Sequence, residues 1–280
     1  MEQTVTEPGQ FEFEDALDTL RVRIVGGAVN VVGIDEGPAR LEVTELDGPP
    51  LTVRRDGRTL TVAYDDLSWK GLLKWHDRQG WRRRAVISLA VPQHTSVEVG
   101  VVGAGAVISG ISGRTVVQGV NGDTTLVGLS GPVEAKTVAG NVEAQSLSGD
   151  LRVNTVSGDL TVVEGSGSTV RADSVSGSMV LDLDPSAGAD VRLTSVSGEI
   201  AIRIPEPGDA EVDVNTTSGH VSCAFDGLQV TRGWRTGGIP GITGRIGSGG
   251  ARLRATTVSG AIALLRRPPL EDAPSLRKDI

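Results

Sequence analysis

Three acidic residues, Asp123, Asp150 and Asp159, each stand directly after a glycine in turns separated by multiples of nine residues. Calcium β-rolls use that arrangement: G-G-x-G-x-D-x-U-x repeats stack their carboxylates so that metal is held between coils. Here the equivalent positions elsewhere are Pro132, Asn141, Ser178 and Glu199. That breaks the row of ligands, so calcium is not expected. A second acidic group, Asp182, Asp184 and Asp190, could supply the carboxylate pair of a glycoside-cleaving site. Alternate residues on a strand share one face, so Asp182 and Asp184 read as a solvated outer surface. One Tyr and three Phe leave few platforms for sugar rings. His76, His94 and His220 follow no metal-ligand spacing, and Cys223, the single cysteine, reads as a small core residue. The glycine-rich run 244–250 lacks the Lys-Ser/Thr of a phosphate-binding loop and leads into a strand pattern instead of a helix. The expectation is a protein that is not an enzyme, with no catalytic residue, metal or cofactor.

Charge placement points to contact surfaces instead. The 35 acidic and 27 basic residues leave a net charge of −8. Residues 67–84 carry six bases and one acid, residues 232–280 nine bases and three acids, and the remainder is acidic. All four tryptophans lie in the two basic stretches. The candidate contact residues are Trp69, Lys70, Lys74, Trp75, Arg78, Trp81, Arg82, Arg83 and Arg84 in the first and Arg232, Trp234 and Arg235 in the second. Interleaved Trp and Arg suit an anionic membrane surface or an acidic protein partner. No signal specific to nucleic acid is present, and homo-oligomerisation is left open. On a helix, Lys70, Lys74, Arg78 and Arg82 would share one face and Trp69, Leu72, Leu73 and His76 another. Covering exposed core is the competing role for these tryptophans.

The elements that must carry such surfaces are legible from the glycines, 38 in 280 residues. A tripeptide x-[Ser/Asn/Ala]-Gly places glycine at 113, 122, 131, 140, 149 and 158, nine residues apart each time. Apolar or small residues follow two, four and seven places later, as in Leu151, Val153 and Val156. That alternation has the period of a strand. The same turn continues at Gly177, Gly198 and Gly219 and returns as Val258-Ser259-Gly260. Extra residues fall midway, at 165–168, 184–188 and 205–208. The reading is an all-β, single-domain parallel β-solenoid of about 18 to 21 residues per coil, with two strand-turn units per coil and one corner free to grow. Close stacking of coils or a positive φ would explain the corner glycines.

Alternation at 20–25, 51–53 and 60–62, with a hairpin at Asp56-Gly57, extends the pattern into the N-terminal third. The predicted organisation is a capping segment at 1–18, in which Phe11 and Phe13 close the apolar end, a solenoid at 19–265 interrupted by the Trp/Arg-rich insertion at 67–84, and a disordered tail at 266–280. About a dozen coils are expected.

The Val-Ser-Gly-x-[Leu/Ile/Val]-x-[Val/Ile] repeats at 156–162 and 196–202, with Gly249-Gly250-Ala251-Arg252-Leu253 before Thr257-Val258-Ser259-Gly260, resemble the bacterial β-strand-repeat families labelled putative adhesins, of the Toastrack-type β-helix group. The resemblance covers residues 19 to 265. It implies a β-helix of unknown function, and domain fusions and gene neighbourhoods of relatives imply a setting in the envelope-stress response. The first 18 residues lack the charged and apolar regions of a secretory signal, so a cytoplasmic location is expected. The functional expectation is a non-enzymatic interaction scaffold, in envelope-stress response or peripheral membrane association. An adhesin-like surface binder, a polysaccharide-active enzyme and an end-to-end filament are the alternatives.

Overall fold

The computed structural model describes residues 2–64, 83–231 and 239–267. Every regular element among them is a strand, and no helix among them is long and apolar enough to cross a membrane. Each coil lays one strand on each of two faces. The first face stacks β9 (Thr115–Gly119), β11 (Val133–Thr137), β13 (Leu151–Thr155), β15 (Thr169–Ser174) and β17 (Asp190–Ser195) in parallel. The second stacks β10 (Thr124–Val127), β12 (Val142–Gln145), β14 (Leu160–Gly165), β16 (Met179–Leu183) and β18 (Ile200–Ile204). Register partners lie 18 residues apart from Val133 to Leu151, 19 from Leu151 to Val170 and 21 from Val170 to Val191. The parallel solenoid and its 18-to-21-residue coil are therefore as the repeat predicts. Inward positions such as Leu151, Val153, Leu160 and Val162 are at most 3% exposed and fill the space between the faces.

The corners explain the conserved spacing within the chain. At the corner leading from the first face to the second, a buried Thr or Ser accepts a hydrogen bond from the glycine amide three residues on: Thr137 from Gly140, Thr155 from Gly158, Ser174 from Gly177, Ser195 from Gly198 and Thr257 from Gly260, all at 2.9 to 3.1 Å. Where a serine precedes the glycine it donates to the neighbouring coil, Ser157 to Val138 and Ser176 to Val156. Gly158 shows why no side chain fits. Its φ is not positive, but a Cβ there would fall on the Gly140 carbonyl, so close stacking is the cause. The residues weighed as calcium ligands serve the same stacking. Asp123 accepts from the Asn141 amide, Asn141 from the Asp159 amide and Asp159 from the Ser178 amide, at 2.8 to 3.0 Å. Thr155→Val, which keeps the shape and removes the acceptor for Gly158 N–H, is expected to cost about 1–3 kcal/mol in denaturant titration. Thr155→Ser, keeping the hydroxyl, should recover most of it.

Both ends depart from the simple repeat. β3 (Thr19–Ile34) and β8 (Ser96–Ser109) each run across both faces, turning where Gly27 has φ +108 and lies against the Ala85 backbone. Beyond β3, β6 (Thr59–Ala63) and β7 (Arg84–Pro92) remain parallel. The outermost strands are antiparallel: β5 (Leu51–Asp56) and β1 (Glu2–Val5) on the first face, β4 (Ala39–Asp47) and β2 (Gly9–Phe13) on the second. The Asp56-Gly57 hairpin is present, with Asp56 opposite Thr59. Phe11 and Phe13 sit half-buried on edge strand β2.

At the other end the chain overshoots and returns. β19 (Ala210–Thr216) and β20 (Val221–Cys223) form the outermost coil, edged by β21 (Gln229–Thr231) and β22 (Gly241–Ile246), with β22 antiparallel to β19 and to β21. β23 (Ala251–Thr257) and β24 (Ile262–Arg266) then insert as a coil between β17/β18 and β19/β20. The described residues thus hold ten parallel two-faced coils, from β6/β7 through to β19/β20, and the antiparallel pairs β5/β4 and β1/β2 add two further layers, close to the dozen expected. Phe225, 7% exposed, covers this end, with the Arg266 guanidinium 5.4 Å from its ring centre. Arg266 and Arg267, assigned to the tail by sequence, are tied down: Arg266 to Glu206 at 3.0 Å and Arg267 to Asp182 at 2.6 Å. Residues 268–280 lie outside the described part.

Candidate functional site

Outward positions on the first face form columns, because parallel register sets equivalent residues of successive coils side by side. Arg152 on β13 pairs in register with Arg171 on β15, Arg171 with Arg192 on β17, and Arg192 with Arg254 on β23. Four guanidinium side chains thus follow one another along the solenoid axis at about 4.8 Å per strand. Like charges directly opposite on neighbouring strands are unfavourable, so the fold gains nothing from this row.

The acids around the row are mostly engaged elsewhere. Glu134 precedes Arg152 in the column, yet it pairs with Lys136 at 2.5 Å and Arg114 at 2.9 Å. The hydrogen bond from Lys136, reinforced by Arg114 against partial burial, holds its carboxyl below the usual carboxylate range. Asp213 follows Arg254 and accepts from Asn215 at 2.8 Å. Asp150 accepts from Ser168 and the Thr169 amide. Within the row only Arg171 comes within ion-pair distance of an acid among the described residues, Asp190 at 3.7 Å, and its side chain is still 48% exposed. Among the described residues Arg152, Arg192 and Arg254 make no ion pair. Arg252, two residues before Arg254, pairs loosely with Glu211 at 3.8 Å. Shallow depressions flank the row, one lined by Arg114, Glu134, Arg152 and Arg171, the other by Glu211, Asp213, Arg245, Arg252 and Arg254. Chemically the row can grip carboxylates or other oxyanions through guanidinium forks.

The second face contrasts with it. Its outward residues include Val32, Val107, Val163, Val180 and Leu265, each 36 to 48% exposed, with few charges between them.

Of the twelve candidate contact residues, two are described. Arg84 begins β7 and pairs with Glu45 at 3.1 Å. The Arg83 guanidinium lies 5.5 Å from the ring centre of Tyr64, a side chain 1% exposed. Trp69, Lys70, Lys74, Trp75, Arg78, Trp81, Arg82, Arg232, Trp234 and Arg235 lie outside the described residues. The two stretches are not attached together: one joins β6 to β7 near the N-terminal end, the other joins β21 to β22 at the C-terminal edge. Asp182, Asp184 and Asp190 do not converge into a carboxylate pair. Asp182 and Asp184 face Arg267 at 2.6 and 3.9 Å, and Asp190 faces Arg171. No group of three His, Cys, Asp or Glu that could hold a metal occurs among the described residues.

The arginine row was missed by sequence reasoning, although a signal existed. Each arginine sits between two inward residues, in Leu-Arg-Val, Val-Arg-Ala, Val-Arg-Leu and Leu-Arg-Ala. Summing charge along the chain hid it, since residues 85–231 are acidic overall.

A family model described as Toastrack DUF4097 matches residues 27–265. No curated protein matches the sequence. Among crystal structures, a "putative lipid binding protein" from Parabacteroides distasonis is similar with a TM-score of 0.53 and 14% identity, over 92% of this chain and 96% of that one. A "putative adhesin" from Bacteroides fragilis gives 0.47 and 9%, over 92% and 97%. A "putative cell adhesion protein" from Clostridium sporogenes gives 0.28 and 10%, over 93% and 100%.

Proposed function

Because the chain belongs to the Toastrack DUF4097 family, we propose that it is a non-enzymatic interaction scaffold, a rigid β-solenoid that binds an anionic partner on its first face. The observation that carries this reading is the outward row Arg152, Arg171, Arg192 and Arg254, of which three lack an ion-pair partner among the described residues. A like-charge row on a sheet is an energetic liability for folding, and an anion from outside would relieve it. Rigidity suits the role, since side chains held by a stacked sheet lose little freedom on binding. A cytoplasmic location and a place in envelope-stress response or at a membrane surface belong to the same proposal, with the Trp/Arg stretches as a second contact region.

The test compares wild type with Arg171→Gln/Arg192→Gln/Arg254→Gln on a carboxylated resin in a salt gradient. For a chain of net charge −8, retention needs a local basic surface. The variant is expected to elute at clearly lower salt with an unchanged melting temperature. Identical elution would remove the row as a binding surface. Flotation of both proteins with anionic vesicles reports on the membrane setting: loss of flotation in the variant supports it through this face, and wild type that stays at the bottom ends it.

A further inference from the structure

Resting on that scaffold reading, we infer that the partner presented to the arginine row is an acidic α-helix of another protein, laid along the solenoid axis. Spacing separates the anionic polymers. The row advances about 4.8 Å per strand, so Arg152 to Arg254 spans three steps, about 14 Å. A helix rises about 1.5 Å per residue, and carboxylates at i, i+3, i+7 and i+10 lie on one stripe about 15 Å long. All four guanidinium groups can then each meet one carboxylate.

Other linear anions fall out of step. An extended acidic strand repeats a face every two residues, about 6.7 Å, and is nearly half a step off by the second arginine. Phosphates of a duplex strand advance about 3.4 Å each and wind away from a straight row. A flat bilayer meets more than the row. It would press on Glu134, Asp150, Asp173, Asp190 and Asp213, which surround the arginines.

Those same acids refine the partner. Asp150 and Asp190 stand in the column on one side of the arginines and Asp173 in the column on the other, two residues along the strands. Of the remaining outward neighbours Asn154, Thr169, Thr194 and Thr256 are uncharged, and Arg252, in register with Asp190, is paired loosely with Glu211. A helix about 10 Å wide covers all three columns. The complementary sequence is therefore an acidic stripe flanked by Lys or Arg on its adjoining faces, a charge pattern that rejects uniformly acidic chains.

The experiment measures fluorescence anisotropy of labelled peptides against the full chain at low ionic strength. One probe is a helical peptide of about three turns with Glu at i, i+3, i+7 and i+10 and flanking Lys. The other has the same composition in scrambled order. The stripe peptide is expected to bind at least about tenfold more tightly than the scramble, to weaken as salt rises, and to lose about tenfold with Arg192→Gln/Arg254→Gln. Both substitutions are outward, so an unchanged melting temperature separates lost binding from lost folding. Equal binding of the two peptides, or binding indifferent to the variant, overturns the helix. If a polyuronate or anionic vesicles bind through the row while the stripe peptide does not, the helix is wrong and the scaffold reading stands. If none of the three probes depends on the row, both fail.

Discussion

Val162→Asp is expected to abolish folding, giving insoluble protein or a chain without a cooperative thermal transition, while Val163→Asp leaves the melting temperature within a few degrees of wild type. Val162 is 1% exposed and stacks between Ala144 of the coil above and Leu181 of the coil below. Its described neighbours in that column, Ala144, Leu181 and Ile202, are buried and apolar. An ionised carboxylate placed there costs several kcal/mol or takes up a proton, and either cost is a large share of the roughly 5–15 kcal/mol by which domains are stable. Val163 is 36% exposed beside Gln145 on the outer surface, where a charge is solvated. The pair of variants differs by one position, so local propensity is nearly the same and only the side of the sheet changes. Circular dichroism melts with a soluble-fraction assay decide it. A soluble Val162→Asp protein melting like wild type would refute the inward assignment of this strand.

Gly158→Ala is the second large effect, and it acts through backbone approach. The added methyl would meet the Gly140 carbonyl, and Gly140 itself lies on Gly122 in the same way. Relief would require separating coils whose strands are hydrogen-bonded on both faces. The expected loss is about 3 kcal/mol or more, at the upper end of overpacking effects. Ser157→Ala, which removes only the hydroxyl bond to Val138 at 3.1 Å, should cost about 1 kcal/mol. Denaturant midpoints with unchanged slopes give the comparison. Should Gly158→Ala cost no more than Ser157→Ala, close stacking is not what selects glycine at these corners.

These two residues also mark what could be read in advance. The inward position of Val162 follows from period-two alternation alone, and the narrow corner at Gly158 from a nine-residue glycine spacing. The choice between positive φ and close approach needed coordinates, because both demand glycine. Asp123 and Asp159 looked like broken calcium ligands because the sequence lists only side-chain types. Their role as acceptors for amides of the next coil depends on which atoms stacking brings within reach. The Asp56-Gly57 turn gave away the antiparallel β5, but the direction of β1, β2 and β4 was invisible, since alternation reports which face a residue takes and not which way its strand runs.

The all-β solenoid, its coil length and its inward residues were determined by sequence, because facing is a local property set by the pleat. The order of the coils was decided only by the tertiary structure. Gly219 stacks on Gly260, and Gly260 on Gly198, so the coil of β23 and β24 sits ahead of one made earlier in the chain. The corners at 174–177, 195–198 and 257–260 share the pattern Ser/Thr-Val-Ser-Gly, that at 216–219 differs by one residue, and the interiors are alike in being apolar, so the local pattern is satisfied by either order. Long-range strand pairing breaks that tie. It also places Arg254 beside Arg192, across 62 residues of sequence, and so completes the row of four arginines on the first face.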